Sequence, residues 1–202
     1  MNDHYFSARP QSGHRYAEAS YEYRGCALKF TTDAGVFSRG EIDFGTDVLL
    51  RSLPEPVTGR VLDLGCGWGA VGVSIGKRYP DAQILMTDVN ERAVGLAAAN
   101  ARLNGVPAET RLSDGFAEVD GLFDAIVTNP PIRAGKQVIY KIFSDAADHL
   151  TAEGQLYFVI RKQQGAESAL KYVKTVYQTA DVIEKSGGFW VIRCEGGKQD
   201  AV

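Results

Sequence analysis

The stretch Val61-Leu-Asp-Leu-Gly-Cys-Gly-Trp-Gly69 constrains this chain more than any other. A short apolar run, 61–64, leads into glycines at every second position, and 70–77 then has helical character. Glycine adopts backbone angles that other residues avoid and lets a chain come close to a ligand. A helix beginning there offers free N–H groups and the positive end of its dipole. Strand, glycine loop and helix in that order belong to an open α/β sheet, where such turns lie at the C-terminal strand edge and ligands bind.

The rest of the chain continues the rhythm. Residues 82–87, 109–112, 123–128 and 155–160 read as strands, and 91–104, 136–150 and 166–177 as helices. Gly105 suits the position just past a helix end. The alternation predicts a parallel sheet covered on both faces. At the end, 181–185 and 189–194 flank Ser186-Gly187-Gly188 and predict an antiparallel hairpin. Ahead of the core, 21–24 and 27–31 predict a second hairpin around Gly25, and the tail from Gly196 to Val202 is expected to fray. The 202 residues suit one compact unit, divided into an N-terminal extension, 1–45, and a main domain, 46–202. An α/β, Rossmann-like, mostly parallel seven-stranded sheet that ends in an antiparallel hairpin resembles the class I methyltransferase fold.

Composition removes several classes. Cys26, Cys66 and Cys194 are scattered with no Cys-x-x-Cys pair, and His4, His14 and His149 are isolated, so neither a disulfide framework nor a metal site is expected. No run of eighteen apolar residues predicts a membrane span, and the N-terminus lacks the regions of a signal peptide, so a cytoplasmic location is expected. A net charge of −3 gives no global attraction to nucleic acid, so any such contact needs a local basic patch.

The glycine loop admits two cofactors. Gly65-x-Gly67-x-x-Ala70, with Asp88 about twenty residues on, satisfies the dinucleotide fingerprint. Asp88 ends a strand and could bind the ribose of NAD or of S-adenosyl-L-methionine. Three features favour the second. Asp63 stands where it could face the amino-acid end of that cofactor. Ser113-Asp114-Gly115-Phe116 offers an acid for an adenine amine and a ring to flank it. No Tyr-x-x-x-Lys pair exists for short-chain dehydrogenase chemistry. A phosphate loop is excluded, because Gly72-Val-Ser-Ile-Gly76-Lys77 is one residue short and Arg78 replaces the magnesium-binding hydroxyl.

Asn129-Pro130-Pro131 ends a strand on the same sheet edge. An exocyclic base amine is a poor nucleophile because its lone pair is delocalised. The Asn129 side-chain oxygen and the Pro130 carbonyl are suitable acceptors for its two N–H groups. Two prolines fix the backbone beforehand, so the gain is positioning and preorganised electrostatics. Standing alone, Asn-Pro-Pro is equally a rigid turn; after a cofactor loop, at this strand, it reads as a clamp for an amine.

These strings, together with Phe37-Ser-Arg-Gly-Glu-Ile-Asp-Phe-Gly-Thr46 and Asn129-Pro-Pro-Ile-Arg-Ala-Gly-Lys136, resemble the methyltransferase small domain family, which includes the RsmC-type ribosomal RNA guanine-N2 methyltransferases. The resemblance runs from His4-Tyr-Phe-Ser7 to the final hairpin and is nearest to short, single-domain bacterial members. It implies S-adenosyl-L-methionine as cofactor and a guanine amine of small-subunit ribosomal RNA, free or in the particle, as substrate. It implies cofactor contacts at Asp63, Gly65, Cys66, Gly67, Asp88, Val89, Asp114, Gly115, Phe116 and Asn129, with Asp43-Phe-Gly-Thr46 closing over the methionine end through Thr46. Asn129, Pro130, Pro131 and Ile132 form the expected catalytic set. Larger members carry a second, degenerate half, whereas this chain is expected to hold one half only, and an aromatic residue often stands where Ile132 does.

Arg133, Lys136, Arg161, Lys162 and Phe37 are the expected substrate contacts, with Arg9, Arg15 and Arg24 available for phosphates and Tyr5 and Phe6 as a lid. Trp68 is expected to shape the cofactor pocket. Rival readings are methylation of a protein glutamine amide or small-molecule amine, a non-catalytic RNA or ribosome-assembly binder, and a dehydrogenase.

Overall fold

The computed structural model describes residues 13–196. His4, Tyr5, Phe6, Ser7, Arg9 and the residues after Gly196 lie outside the described residues. Two strands come first, β1 (Ala17–Tyr23) and β2 (Cys26–Thr32), followed by the helix α1 (Phe44–Ser52). The core then alternates: β3 (Arg60–Leu64), α2 (Ala70–Arg78), β4 (Gln83–Asp88), α3 (Glu91–Leu103), β5 (Ala108–Leu112), β6 (Phe123–Thr128), α4 (Lys136–Ala147) and β7 (Leu150–Arg161). It closes with α5 (Ala166–Val173), β8 (Thr179–Ser186) and β9 (Phe189–Glu195).

Seven strands form one sheet in the order β5-β4-β3-β6-β7-β9-β8, in which only the pairings of β9 are antiparallel. This is the class I methyltransferase fold that the strand pattern predicts. Side chains alternate across each strand, so both faces are apolar. Val61, Val127 and Val159 join a cluster under α1, α2 and α3. Leu62, Ile126 and Phe158 join a second cluster under α4 and α5.

The β1–β2 hairpin turns through Arg24 and Gly25, both with positive φ, as a two-residue loop requires. Its residues Tyr23, Leu28 and Phe30 are buried in the first cluster. Two asparagines four residues apart, Asn100 in α3 and Asn104 at its C-cap, complete the edge of β2. Asn100 accepts from Thr31 N (2.8 Å) and donates to Thr31 O (2.9 Å), and Asn104 pairs with Lys29 in the same way (3.1 and 2.7 Å). Side-chain amides thereby satisfy an edge that would otherwise invite another strand.

Several boundaries differ from expectation. α4 stops at Ala147, and β7 starts at Leu150, five residues before the predicted strand. Between them and the main pairing the register against β6 shifts. A Cβ at Gly154 would lie 2.6 Å from the Phe123 carbonyl oxygen, so the irregularity depends on glycine. α5 ends at Val173 rather than at 177, and Tyr177 instead donates its hydroxyl to Phe143 O across the second cluster. The helix α1 was not expected at all. Among the described residues, no helix is long and apolar enough to cross a membrane.

Candidate active site

The loop after β3 carries positive φ at Gly65, Gly67 and Gly69, the last leading directly into α2. Two carboxylates hold this loop. Asp88, at the end of β4, accepts from Gly67 N through one oxygen and from Asn90 N through the other, each at 2.8 Å. Burial raises its pKa against the pull of those N–H groups. Asp63 is 2% exposed and accepts from Gly72 N in the first turn of α2 (2.8 Å). Burial pushes its carboxyl up to about 7; the Gly72 bond opposes this and the charge of Asp88 adds to it. A carboxylate so placed favours a cationic neighbour, such as the ammonium of an amino-acid-bearing cofactor would supply. Burial also raises the Cys66 thiol well above its ordinary value, so the residue is an inert part of the wall.

Asn129, at the end of β6, faces α1. Asp43 caps that helix, its carboxylate accepting from Gly45 N (3.0 Å) and Thr46 N (3.3 Å). The Thr46 hydroxyl donates to the same carboxylate and accepts from Asn129 Nδ2 (3.0 Å), which also reaches Asp43 Oδ2 at 3.4 Å. With its single proton given to Asp43, the hydroxyl presents only a lone pair to Asn129. The Asn129 amide is therefore oriented by chemistry: its NH₂ points to α1 and its oxygen remains for the cleft.

The segment joining β2 to α1 lies over the glycine loop. Trp68 Nε1 donates to Phe37 O (2.9 Å) and Ser38 O (3.1 Å), and its ring meets Phe30 edge-on. Asn90 Nδ2 donates to Gly35 O (2.9 Å). At the far end, Phe116 stacks on His149 with centroids 4.5 Å apart, and His149 Nδ1 lies 2.9 Å from Asp145 O.

These parts enclose one cleft of about 1220 Å³. Asp63, Gly65, Cys66, Gly67, Asp88, Val89, Asp114, Gly115, Phe116 and Thr46 line it with Asn129, Pro130, Pro131, Ile132, Arg133, Phe37 and Arg161. Lys136 and Lys162 do not line it. Lys136 lies over the Tyr140 ring, and Lys162 sits 4.0 Å from Glu167. Arg24 is not at this mouth either: it binds the carbonyls of Leu53 and Pro54 beside Tyr79, beyond the end of α2. The hairpin that carries it points its turn toward the opposite sheet edge. Sequence reasoning missed His149 and Phe189, which also line the cleft, and named Phe44 only within the segment expected to close over the cofactor. His149 directly precedes a strand start that was placed too late. Phe44 lies on the helix that went unrecognised.

Fold and cleft together define a class I S-adenosyl-L-methionine-dependent methyltransferase. Residues 27–193 match the family model "Methyltransferase small domain", and the chain belongs to that family. A Bacillus subtilis protein, "Uncharacterized protein YbxB", is 42% identical over 199 residues, spanning 96% of this chain and 99% of its own length. "Ribosomal RNA small subunit methyltransferase C" of Hahella chejuensis is 44% identical over 139 residues, which are 67% of this chain but 41% of that protein. The chain thus spans about half or less of the named ribosomal RNA methyltransferases it matches. Among solved structures, the T. thermophilus 16S rRNA guanine-N2 methyltransferase RsmC, in complex with AdoMet and guanosine, shares the fold with a TM-score of 0.82 at 24% identity. That match covers 93% of this chain and 52% of the other.

Proposed function

We propose that this methyltransferase acts on an exocyclic amine of an RNA base, most specifically guanine N2 of 16S ribosomal RNA, free or in the small-subunit particle. The observation that carries the reading is the fixed orientation of the Asn129 amide. Its Thr46 and Asp43 bonds leave the oxygen for the cleft, beside the cofactor loop.

In this reading Asn129 Oδ1 and the Pro130 carbonyl accept the two N–H groups of the acceptor amine. Holding both draws the nitrogen toward tetrahedral geometry and frees its lone pair. Pro130 is buried and flanked by Pro131, so the carbonyl is in place before the acceptor arrives. Asp63 would face the ammonium end of the cofactor, Asp88 its ribose, and Asp114 with Phe116 its adenine. Bound S-adenosyl-L-methionine supplies a methyl group on a positively charged sulfur. A base inside a helix cannot reach Asn129, so the target nucleotide must leave its stack. Arg133 and Arg161 line the cleft and in this reading would contact backbone phosphates of the RNA.

The relatives named for ribosomal RNA methylation support the RNA acceptor. A glutamine amide also presents a conjugated NH₂, and aliphatic Ile132 suits it as well as a base. The test is Asn129→Ala with two readouts. Methyl transfer to 16S RNA or small-subunit particles should vanish while S-adenosyl-L-methionine affinity stays within about twofold. Unchanged turnover in that variant would sink the clamp, and activity of the unmodified protein on glutamine peptides but not on RNA would move the acceptor to protein.

A further inference from the structure

We infer that the acceptor is held as a flat ring on an aromatic step formed by Phe44 and Phe189, a base-stacking subsite beside the clamp. The inference rests on the reading of Asn129 given above and narrows its acceptor to a nucleobase. Phe44 opens α1 immediately after Asp43, and Phe189 opens β9. Their ring centroids are 5.9 Å apart with planes at 52°, and both rings line the cleft that Asn129 faces. Phe44 remains 51% exposed although it lines the cleft, so part of its ring is open to an occupant.

The rings have built seats. A Cβ at Gly45 would lie 2.7 Å from Phe189 Cε1, and one at Gly187 would collide with the edge of the Phe44 ring. Each aromatic thus occupies the space of an absent side chain, one on the helix and one in the β8–β9 turn. Arg161, paired with Phe189 across β7 and β9, lays its guanidinium over the Phe189 ring at 4.7 Å. This places a positive charge at the Phe189 side of the step, within the same cleft. Ile132, directly after the prolines, has no π face to offer. The stacking surface that it lacks is provided by α1 and the final hairpin instead. A flat heteroaromatic ring with a phosphate attached fits an exposed phenyl beside arginine; a glutamine amide offers a much smaller planar face and no charge to pair.

The test uses the full chain with S-adenosylhomocysteine present. In Phe44→Trp, guanosine 5′-monophosphate should quench the added indole fluorescence saturably, relative to the unmodified protein, and a glutamine peptide should not. In methyl transfer to 16S RNA, Phe44→Leu should raise KM about tenfold or more, and Phe44→Tyr should restore it. Melting temperature and cofactor affinity of Phe44→Leu should match the unmodified protein. Unchanged KM in Phe44→Leu, or no response of Phe44→Trp to the nucleotide, overturns the step while RNA methylation stands. A protein that methylates no ribosomal RNA, in which Phe44→Trp still answers the nucleotide, keeps the step and removes that RNA as acceptor. Peptide methylation with no nucleotide response overturns both.

Discussion

Asp63→Asn separates what the loop needs for folding from what it needs for its cofactor. In the protein without ligand, burial holds the Asp63 carboxyl at about 7, against an ordinary value of 3.8. The native state therefore binds this proton more tightly than the unfolded chain does. The associated stability is fully present below pH 3.8 and is lost as pH rises through about 7. At 1.36 kcal/mol per unit the shift corresponds to roughly 4 kcal/mol, and relaxation around the buried charge reduces what is measured to about 2–4 kcal/mol. Asparagine keeps an acceptor for Gly72 N and carries no charge, so the variant without ligand should be more stable than the parent by that amount near pH 8. The two should converge at about pH 4, where both side chains are neutral. Cofactor binding should move the other way. An ammonium needs the ionised carboxylate, so parent affinity should fall about tenfold per pH unit below about 7. The variant should bind more weakly and without that slope. Urea unfolding and calorimetric titration across the pH range measure both. Loss of stability at pH 8 in Asp63→Asn would refute the argument, because it would mean that the folded protein already stabilises the charge.

Two further outcomes follow from named contacts. Thr46→Val removes the hydroxyl that fixes the Asn129 amide, a bond within a charged network of about 1.5–3 kcal/mol, so kcat should fall about ten- to a hundredfold at constant cofactor affinity. Thr46→Ser should recover it; an equal loss of cofactor affinity would instead place Thr46 against the cofactor. Asn100→Ala strands the N–H and carbonyl of Thr31 and the carbonyl of Trp68, and should cost about 2–4 kcal/mol in urea unfolding. A cost under about 0.5 kcal/mol would show that the hairpin does not depend on α3.

The sheet was legible because its signals are local. Each central strand is a short apolar run bounded by glycine or by a capped helix, and Asn90 and Gly105 mark both ends of α3 within a few residues of sequence. α1 escaped because nine residues contain only two turns of pattern, and its cap, Asp43, was read for ligand chemistry rather than as a helix start. The loop acids and Asn129 fall where the strand ends require. Lys136 and Lys162 show the opposite case: a residue after a strand can turn either way, and charge carries no period that says which. The ties of Trp68 to Phe37 and of Asn100 to Thr31 span 31 and 69 residues, beyond any local rule.

The orientation of Asn129 shows how a local rule becomes a functional one. An amide can present oxygen or nitrogen, and only oxygen can accept from an amine. Turned over, Asn129 would aim N–H groups at the acceptor N–H and leave its oxygen against the lone pair of Thr46. What prevents this is the N-cap of α1. Asp43 takes the first free N–H groups of the helix and the Thr46 proton together. Helix capping is ordinarily a contribution to stability of about 1 kcal/mol. Here the same carboxylate fixes the donor direction of Thr46, Thr46 fixes the face of Asn129, and a residue 86 positions away in sequence decides which atom of the amide is left for the cleft.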